Sequence, residues 1–263
     1  MSYETINVAF EEGCFEIALH RPDVLNALDQ KMAEELCDAL DWAAGRNEVR
    51  SVLLYGEGRA FCAGGDLKAM ATTLDRNPAE FFEEPLAKIH EAALSLARLP
   101  KPTVGAIHGF ASGAGFNLAL CCDLRVAGVA TRFNQAFVRI GAVPDTGGSY
   151  FLTRLIGPTR ALEAFFLGDF IEASRALELG IVNRVVDEDK VIATGRDLAR
   201  KLATGPTQAY AEIKKLVFGS STSSLAAALD AEQQAQLRVA STHDLKEGIR
   251  SFFEKRPPKY RGA

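Results

Sequence analysis

The 263-residue sequence contains no run that approaches the ~18 consecutive apolar residues needed to span a membrane as a helix. Its first residues lack the cationic and apolar stretches of a secretory signal peptide. The five cysteines form no CxxC pair, which is typical of reduced thiols in an intracellular chain. The formal net charge of −4 offers no basic field to a nucleic-acid backbone. These absences predict a cytoplasmic protein that has neither a membrane nor a nucleic acid as its partner.

Several motifs that would indicate a cofactor or a metal are also missing. There is no GxxxxGK[ST] phosphate-binding loop, and the nearest approach to a dinucleotide fingerprint, at residues 113–118, lacks the third glycine. Ser112 lies in the run GFASG, which misses the GxSxG nucleophile elbow by one residue. The four histidines are scattered without the spacing of zinc ligands. We therefore expect no metal and no redox cofactor.

What the sequence does contain is ordinary globular composition, with 48% hydrophobic and 24% charged residues. Short apolar runs typical of strands alternate with segments of helical periodicity, and after residue 147 the pattern is almost entirely helical. This order predicts an α/β core over residues 1–195 and a C-terminal helical region over residues 196–263. Residues 71–84 have no clean periodicity and predict a mobile loop, followed by a helix over residues 86–99.

Two glycine-rich junctions stand out, AGGDL at residues 63–67 and SGAGF at residues 112–116. Each follows a predicted strand and opens a predicted helix, so its backbone N–H groups lack intrahelical partners. One junction of this kind is ordinary packing. Two in a single α/β core allow a pair of N–H donors to converge on one oxygen, which is the geometry of an oxyanion hole.

Five segments carry a resemblance to a known family in the order in which they occur. They are RPDVLNAL at 21–28, AFCAGGDL at 60–67, KPTVGAIHG at 101–109, CDLR at 122–125 and EGIRSFFEKR at 247–256. Over nearly its whole length the chain resembles the crotonase, or enoyl-CoA hydratase/isomerase, superfamily. The resemblance implies an α/β fold, a ClpP-like spiral of ββα units with a C-terminal helical trimerisation region. It also implies an acyl-CoA thioester substrate and a homotrimer or a dimer of trimers.

At the matching positions of this chain, the resemblance implies that the N–H groups of Gly65 and Ala114 are the oxyanion-hole donors. It further implies contacts with the substrate or its coenzyme A portion at a larger set of residues. These are Val24, Ala63, Gly64, Asp66, Leu67, Asn117, Phe137 and Lys255. For Lys255, a local excess of basic residues near the C-terminus suggests contact with the CoA phosphates, although a solvated helix end explains the same charges.

The chain departs from the hydratases of this superfamily at two positions. Those hydratases share two glutamates that position and activate water. The residues at the matching positions of this chain are Asn117 and Phe137. An asparagine does not serve as a proton-transfer base, and a phenylalanine has no group to transfer. The departure argues against the ordinary hydration mechanism.

Asp145, in the run GAVPDTGG at residues 141–148, offers a substitute carboxylate. Around this motif the chain resembles the branch of the superfamily that contains ring-1,2-epoxyphenylacetyl-CoA isomerase and Δ3,Δ2-enoyl-CoA isomerases. In that branch an aspartate at this motif is the catalytic acid/base. The competing interpretation is that Asp145 is a helix N-cap. His90 lies where a related dehalogenase branch of the superfamily has a functional histidine. Without that resemblance, a single histidine in a helix is more typical of a structural residue.

The sequence therefore predicts an acyl-CoA isomerase that moves a 3-enoyl double bond with Asp145 as acid/base and with no cofactor beyond the substrate's own coenzyme A. The alternatives on the same fold are a hydratase, a ring-cleaving hydrolase or a thioesterase, acting through Asp145 or a water held by Asn117. A non-catalytic scaffold that binds a CoA thioester or RNA is an alternative of a different class.

Overall fold

A six-stranded sheet and a smaller three-stranded sheet organise the chain. The computed structural model describes residues 2–72, 77 and 79–263, with only the backbone described at Phe81. The strands are β1 (Ile6–Glu11), β2 (Cys14–Leu19), β3 (Ser51–Gly56), β4 (Thr103–Ile107), β5 (Phe110–Ser112), β6 (Leu124–Gly128), β7 (Arg132–Asn134), β8 (Ile171–Glu172) and β9 (Arg184–Val186). The large sheet has the order β1-β2-β3-β4-β6-β9 and is parallel except for the β1–β2 pair. The small sheet has the order β5-β7-β8.

Helices follow the strands and then take over the C-terminal part of the chain. They are α1 (Gln30–Ala44), α2 (Leu67–Ala71), α3 (Ala79–Arg98), α4 (Ala114–Leu120), α5 (Gly148–Ile156), α6 (Pro158–Leu167), α7 (Ala173–Glu178), α8 (Val191–Ala203), α9 (Thr207–Ser220), α10 (Leu225–Ala240) and α11 (His243–Phe253). The predicted α/β class with a helical C-terminal region is confirmed.

The two faces of the large sheet have separate hydrophobic cores. On one face α8 packs against β3, β4 and β6, and Gly195 permits the close approach because a Cβ there would lie 2.8 Å from the Ala106 Cβ. On the other face α1 and α3 cover the sheet with residues such as Leu36 and Leu96. All six residues of β2 are buried, because both faces of this central strand are covered, and Glu16 is its one charged residue. The site described below lies where these strands give way to helices.

The sequence-based boundary between residues 195 and 196 falls inside α8. Leu198 and Ala199, beyond that boundary, belong to the same buried cluster as Val191 before it. Arg196 also forms a bidentate ion pair with Glu16 of β2, in which its Nε and Nη2 lie 2.5 and 2.8 Å from the two carboxylate oxygens. The part of the chain that packs on the sheet therefore continues to the end of α8.

The prediction of a loop over residues 71–84 is partly wrong. The helix expected from residue 86 begins at Ala79 and contains Pro85. The first turns of α3 face solvent, including a 40% exposed Phe82, so they carry no apolar periodicity by which sequence reasoning could detect a helix. The central part of the expected loop, residues 73–76 and 78, lies outside the described residues.

The C-terminal helices expose much of their apolar surface. Leu225, Leu229 and Leu237 of α10 are 77%, 54% and 61% exposed, so the chain itself does not bury this stripe. Within the described ranges, no helix combines the length and the apolar character that a membrane crossing requires.

Candidate active site

The two glycine-rich junctions lie against each other. The segment around Cys62 pairs with β5, since the Cys62 N–H donates to Phe110 O at 3.1 Å and the Ser112 N–H donates to Cys62 O at 3.0 Å. A Cβ added to Gly64 would lie 2.9 Å from Ser112 O and 3.7 Å from the Ala114 nitrogen. The absence of a side chain at Gly64 (φ +106°) is thus what lets the junctions approach.

Each junction presents a backbone N–H that the described residues leave without an acceptor. Ala114 is the first residue of α4, where an amide has no intrahelical partner. The N–H of Gly65 likewise donates to no described group, and a Cβ placed on Gly65 would meet nothing within 4 Å. Open space at Gly65 and two unpaired donors on adjacent segments form a suitable site for a ligand oxygen.

The carboxylate of Asp66, the residue after Gly65, forms structural contacts. Its carboxylate accepts from the N–H groups of Lys68 and Ala69 as the N-cap of α2, and it pairs with Arg21 at 2.9 Å. Although burial acts to raise the pKa of Asp66, the hydrogen bond from Arg21 and those from the α2 backbone outweigh it and hold the pKa below its usual value. This carboxylate remains ionised and holds the loop that carries Gly65.

The other predicted substrate contacts divide between two places. Val24, Ala63 and Leu67 surround the Gly65 junction, where the Ala63 N–H donates to the carbonyl oxygen of Leu25 at 2.9 Å and Leu67 is 53% exposed. Lys255 lies beyond the end of α11, is exposed, and has none of the described contacts with the junction. Its contact with CoA stays a prediction.

Asp145 lies in the turn that precedes α5, and its interpretation as the N-cap is wrong. Gly147 occupies the N-cap position with φ +79°, and no side chain caps the helix. The Asp145 carboxylate is half-buried and accepts a hydrogen bond from the Thr146 hydroxyl at 2.8 Å. Burial raises the pKa of Asp145, while the Thr146 hydrogen bond and the charge of His90 oppose the rise without cancelling it. A carboxyl group of this kind is suited to exchange protons.

Asn117 and Phe137 lie between Asp145 and the oxyanion donors. Asn117 is fully buried one turn along α4 from Ala114, and its Nδ2 donates to the backbone oxygen of Asp145 at 2.9 Å. The Phe137 ring comes within 3.6 Å of a Cβ built on Gly113. The two positions that hold glutamates in the hydratases thus hold a buried amide and an aromatic ring beside the donor at Ala114.

Gln135 is a residue of this site that sequence reasoning did not identify. It is fully buried, and its Nε2 donates to Asn117 Oδ1 at 2.7 Å. An isolated glutamine belongs to no motif. Only its place beside apolar residues such as Phe133 and Phe137 could have drawn attention to it.

A cavity of about 740 Å³ adjoins the Asp145 turn between α3, α5 and α9. His90 and Gly147 lie at its edge, and aromatic side chains such as Tyr150 and Phe218 line it. The Lys214 ammonium group, which also lines this cavity, is neutralised by Asp123 at 2.9 Å. Among the described residues no group of three or more His, Cys, Asp or Glu side chains could hold a metal. Arg98 and Lys215 also line the cavity, so it combines apolar walls with cationic side chains.

Comparison with known proteins gives a consistent result. The sequence profile of the family described as Enoyl-CoA hydratase/isomerase matches residues 9–263. The chain belongs to this family. A probable enoyl-CoA hydratase of Rhodobacter capsulatus is 38% identical, covering 100% of both chains. The 1,2-epoxyphenylacetyl-CoA isomerase of Escherichia coli is 36% identical over 96% of each chain.

A solved structure supports the same assignment. The crystal structure of a putative enoyl-CoA hydratase/isomerase from Mycobacterium abscessus has a TM-score of 0.94 and 35% identity, covering 98% of this chain and 100% of that one. The enoyl-CoA hydratase/isomerase family acts on acyl-CoA thioesters. Since both hydratases and isomerases occur among the relatives, membership leaves the choice of reaction to the site residues.

Proposed function

We propose that this enzyme moves the double bond of a 3-enoyl-CoA thioester to the 2-position, with Asp145 as acid/base. The observation that carries the proposal is that Asp145 holds a half-buried carboxylate of raised pKa, joined through one buried amide to the helix that begins at Ala114. Its described side-chain hydrogen bond comes from the neutral Thr146 hydroxyl, and burial outweighs the charge of His90 in setting its pKa. The hydratase glutamate positions supply no base, because they are Asn117 and Phe137.

The proposed reaction is a proton transfer in two steps. The ionised Asp145 carboxylate removes a proton from C2, and the electron pair of that C–H bond forms an enolate at the thioester oxygen. The N–H groups of Gly65 and Ala114 stabilise the oxyanion, and each such donor is worth about 3–4 kcal/mol in comparable sites. The Asp145 carboxylic acid then returns a proton to C4 as the C2–C3 double bond forms. Protons and electrons balance without a cofactor.

The exposed stripe on α10 supports a second proposal, that the active form is a homotrimer or a dimer of trimers. Burial of side chains such as Leu225 and Leu229 between subunits would remove from water an apolar surface that the chain itself leaves exposed. Light scattering at micromolar protein concentration should therefore return a mass that is a multiple of three chains. A monomer would contradict the proposal.

The reaction is tested by incubation with 3-enoyl-CoA and, separately, 2-enoyl-CoA in deuterated water, with mass analysis of the products. Isomerisation converts 3-enoyl-CoA into 2-enoyl-CoA, an isomer that chromatography separates from the substrate and that differs from it in mass only by exchanged deuterium. Hydration instead adds one molecule of heavy water to 2-enoyl-CoA, and thioester hydrolysis releases free coenzyme A. Either of the last two results, without formation of 2-enoyl-CoA from 3-enoyl-CoA, would overturn the proposed isomerase.

A further inference from the structure

The turn that carries Asp145 has an unfavourable backbone. Thr146 has φ +49°, a left-handed conformation that is rare for a β-branched residue, and Gly147 follows with φ +79°. A non-glycine residue in this region is strained, and the conformation persists only where the surroundings hold it. The Thr146 side chain is fully buried, and its hydroxyl donates to the Asp145 carboxylate. The conformation of this turn therefore sets the direction in which the carboxylate points.

Asn117 is the side chain that holds the turn from outside. The backbone oxygen of Asp145 accepts two hydrogen bonds, one from Asn117 Nδ2 at 2.9 Å and one from the Gly148 N–H at 2.8 Å. The fit is close: a Cβ on Gly148 would lie 2.3 Å from Asn117 Nδ2 and 2.4 Å from its Oδ1. A glycine at the start of α5 thus leaves the space that the Asn117 amide occupies.

Gln135 determines which way the Asn117 amide faces. Its Nε2 donates to Asn117 Oδ1 at 2.7 Å, so the Asn117 oxygen faces Gln135 and its NH₂ group faces Asp145. Both side chains are fully buried, where an amide with the wrong orientation would leave polar groups unpaired. Among the described groups Gln135 Oε1 has no partner, so the hydrogen bond to Asn117 is the one described polar contact of this side chain.

We propose that Gln135 and Asn117 are positioning residues that act in series on Asp145, with Gln135 orienting the Asn117 amide and Asn117 holding the turn that directs the carboxylate. This inference rests on the proposed role of Asp145 as acid/base. It assigns Asn117 a different task from the substrate contact that the sequence suggested, since the one described contact of its Nδ2 is with the Asp145 backbone.

The test is a set of four variants: Gln135→Met, Asn117→Ala, the double variant, and Gln208→Met as a matched control in the exposed first turn of α9. A displacement of about 1 Å at a reacting group costs up to about 10²-fold in rate, so we expect kcat to fall about 10–100-fold for Asn117→Ala and about tenfold for Gln135→Met. KM should change less than about threefold, because neither side chain binds substrate in this scheme. Gln208→Met should leave both constants unchanged.

The double variant distinguishes action in series from independent packing effects. If Gln135 acts through Asn117, the kcat of the double variant should equal that of Asn117→Ala within about twofold. Three results would overturn the inference. The kcat losses of the two single variants could multiply in the double variant, the variants could change KM alone, or both single variants could keep kcat within twofold of the parent enzyme. If Asn117→Ala does not fold, Gln135→Met alone must still show the split between kcat and KM.

A parallel measurement on Asp145→Asn separates this inference from the proposed function. If Asp145→Asn abolishes isomerisation while the Gln135 and Asn117 variants keep the parent kcat, the positioning scheme fails and the acid/base assignment stands. If Asp145→Asn itself keeps kcat within twofold of the parent enzyme, the proposed function fails first.

Discussion

Asp66 and Asp145 lie in two turns of similar composition that have opposite properties. Each aspartate is close to a pair of glycines, precedes a helix and is withdrawn from solvent. Asp66 caps α2 and pairs with Arg21, and these contacts hold its pKa below the usual value. Asp145 caps no helix and has the Thr146 hydroxyl as its described side-chain partner, and burial raises its pKa.

The difference shows that partners, more than burial, decide what a carboxylate near this site can do. Burial acts on both groups in the same direction, because it penalises the charged form of each. At Asp66 a guanidinium group and two backbone N–H groups outweigh that penalty, which yields a fixed structural anion. At Asp145 the penalty prevails, which yields a group that can exchange a proton during a reaction.

The same substitution in both turns should give the largest contrast. Since general acid–base catalysis is typically worth about 10²–10⁴-fold, Asp145→Asn should lower kcat for 3-enoyl-CoA isomerisation by that factor. Asp66→Asn retains a capping side chain and should change kcat far less. Steady-state kinetics of both variants, with Asp197→Asn on the exposed side of α8 as a control, makes the comparison. Equal losses at Asp66 and Asp145 would remove the distinction between the turns.

A methyl group at Gly65 should test whether the space beside the first turn receives the substrate. A Cβ at Gly65 would meet nothing within 4 Å and φ lies outside the left-handed region, so Gly65→Ala should fold as the parent does. If the thioester oxygen approaches the N–H of Gly65, the methyl group obstructs it, and kcat/KM should fall by about tenfold or more. Gly45→Ala, at the end of α1 with φ −76°, is the matched control. An unchanged kcat/KM at Gly65→Ala would place the substrate elsewhere.

Acidification should affect the two aspartates in a fixed order. Asp145 must be ionised to act as a base, so kcat/KM should decline with a midpoint above the ordinary aspartate pKa of ~3.9. The low pKa of Asp66 means that its contribution to stability is present above the unfolded-state pKa and is lost only as the pH falls through the lower, folded-state value. Activity should therefore be lost at a higher pH than the stability that Asp66 supplies. Parallel profiles of kcat/KM and melting temperature check this order.

The opposite sign of the two pKa shifts also predicts how each substitution changes stability at neutral pH. Because the pKa of Asp145 is raised on folding, its ionisation opposes folding above that pKa, and Asp145→Asn should not lower the melting temperature. Asp66→Asn weakens the pairing of the half-buried Arg21 and should cost about 1–3 kcal/mol. Calorimetry of the two variants gives both values. A less stable Asp145→Asn would show that the hydrogen bond from Thr146 outweighs the cost of burying the charge.

Much of the fold could be predicted because its signals are local. The helix Gln30–Ala44 is one example, since the spacing of its apolar residues along the sequence reflects the face that it buries. The strands of the small sheet were missed, because two or three residues are too few for an alternating pattern. The same reasoning identified both glycine-rich junctions, where the signal is the absence of a side chain.

The sequence by itself determined the chemistry available to this protein: backbone donors at Gly65 and Ala114, a carboxylate at Asp145, and no glutamate at positions 117 and 137. The tertiary structure alone decided the surroundings of the Asp145 carboxylate. Asn117 contacts the backbone of Asp145 across a separation of 28 residues, Gln135 contacts Asn117 across 18 residues, and burial raises the pKa of Asp145. Residue type is a local property, whereas the direction and the protonation of a carboxylate depend on groups that only folding brings into contact.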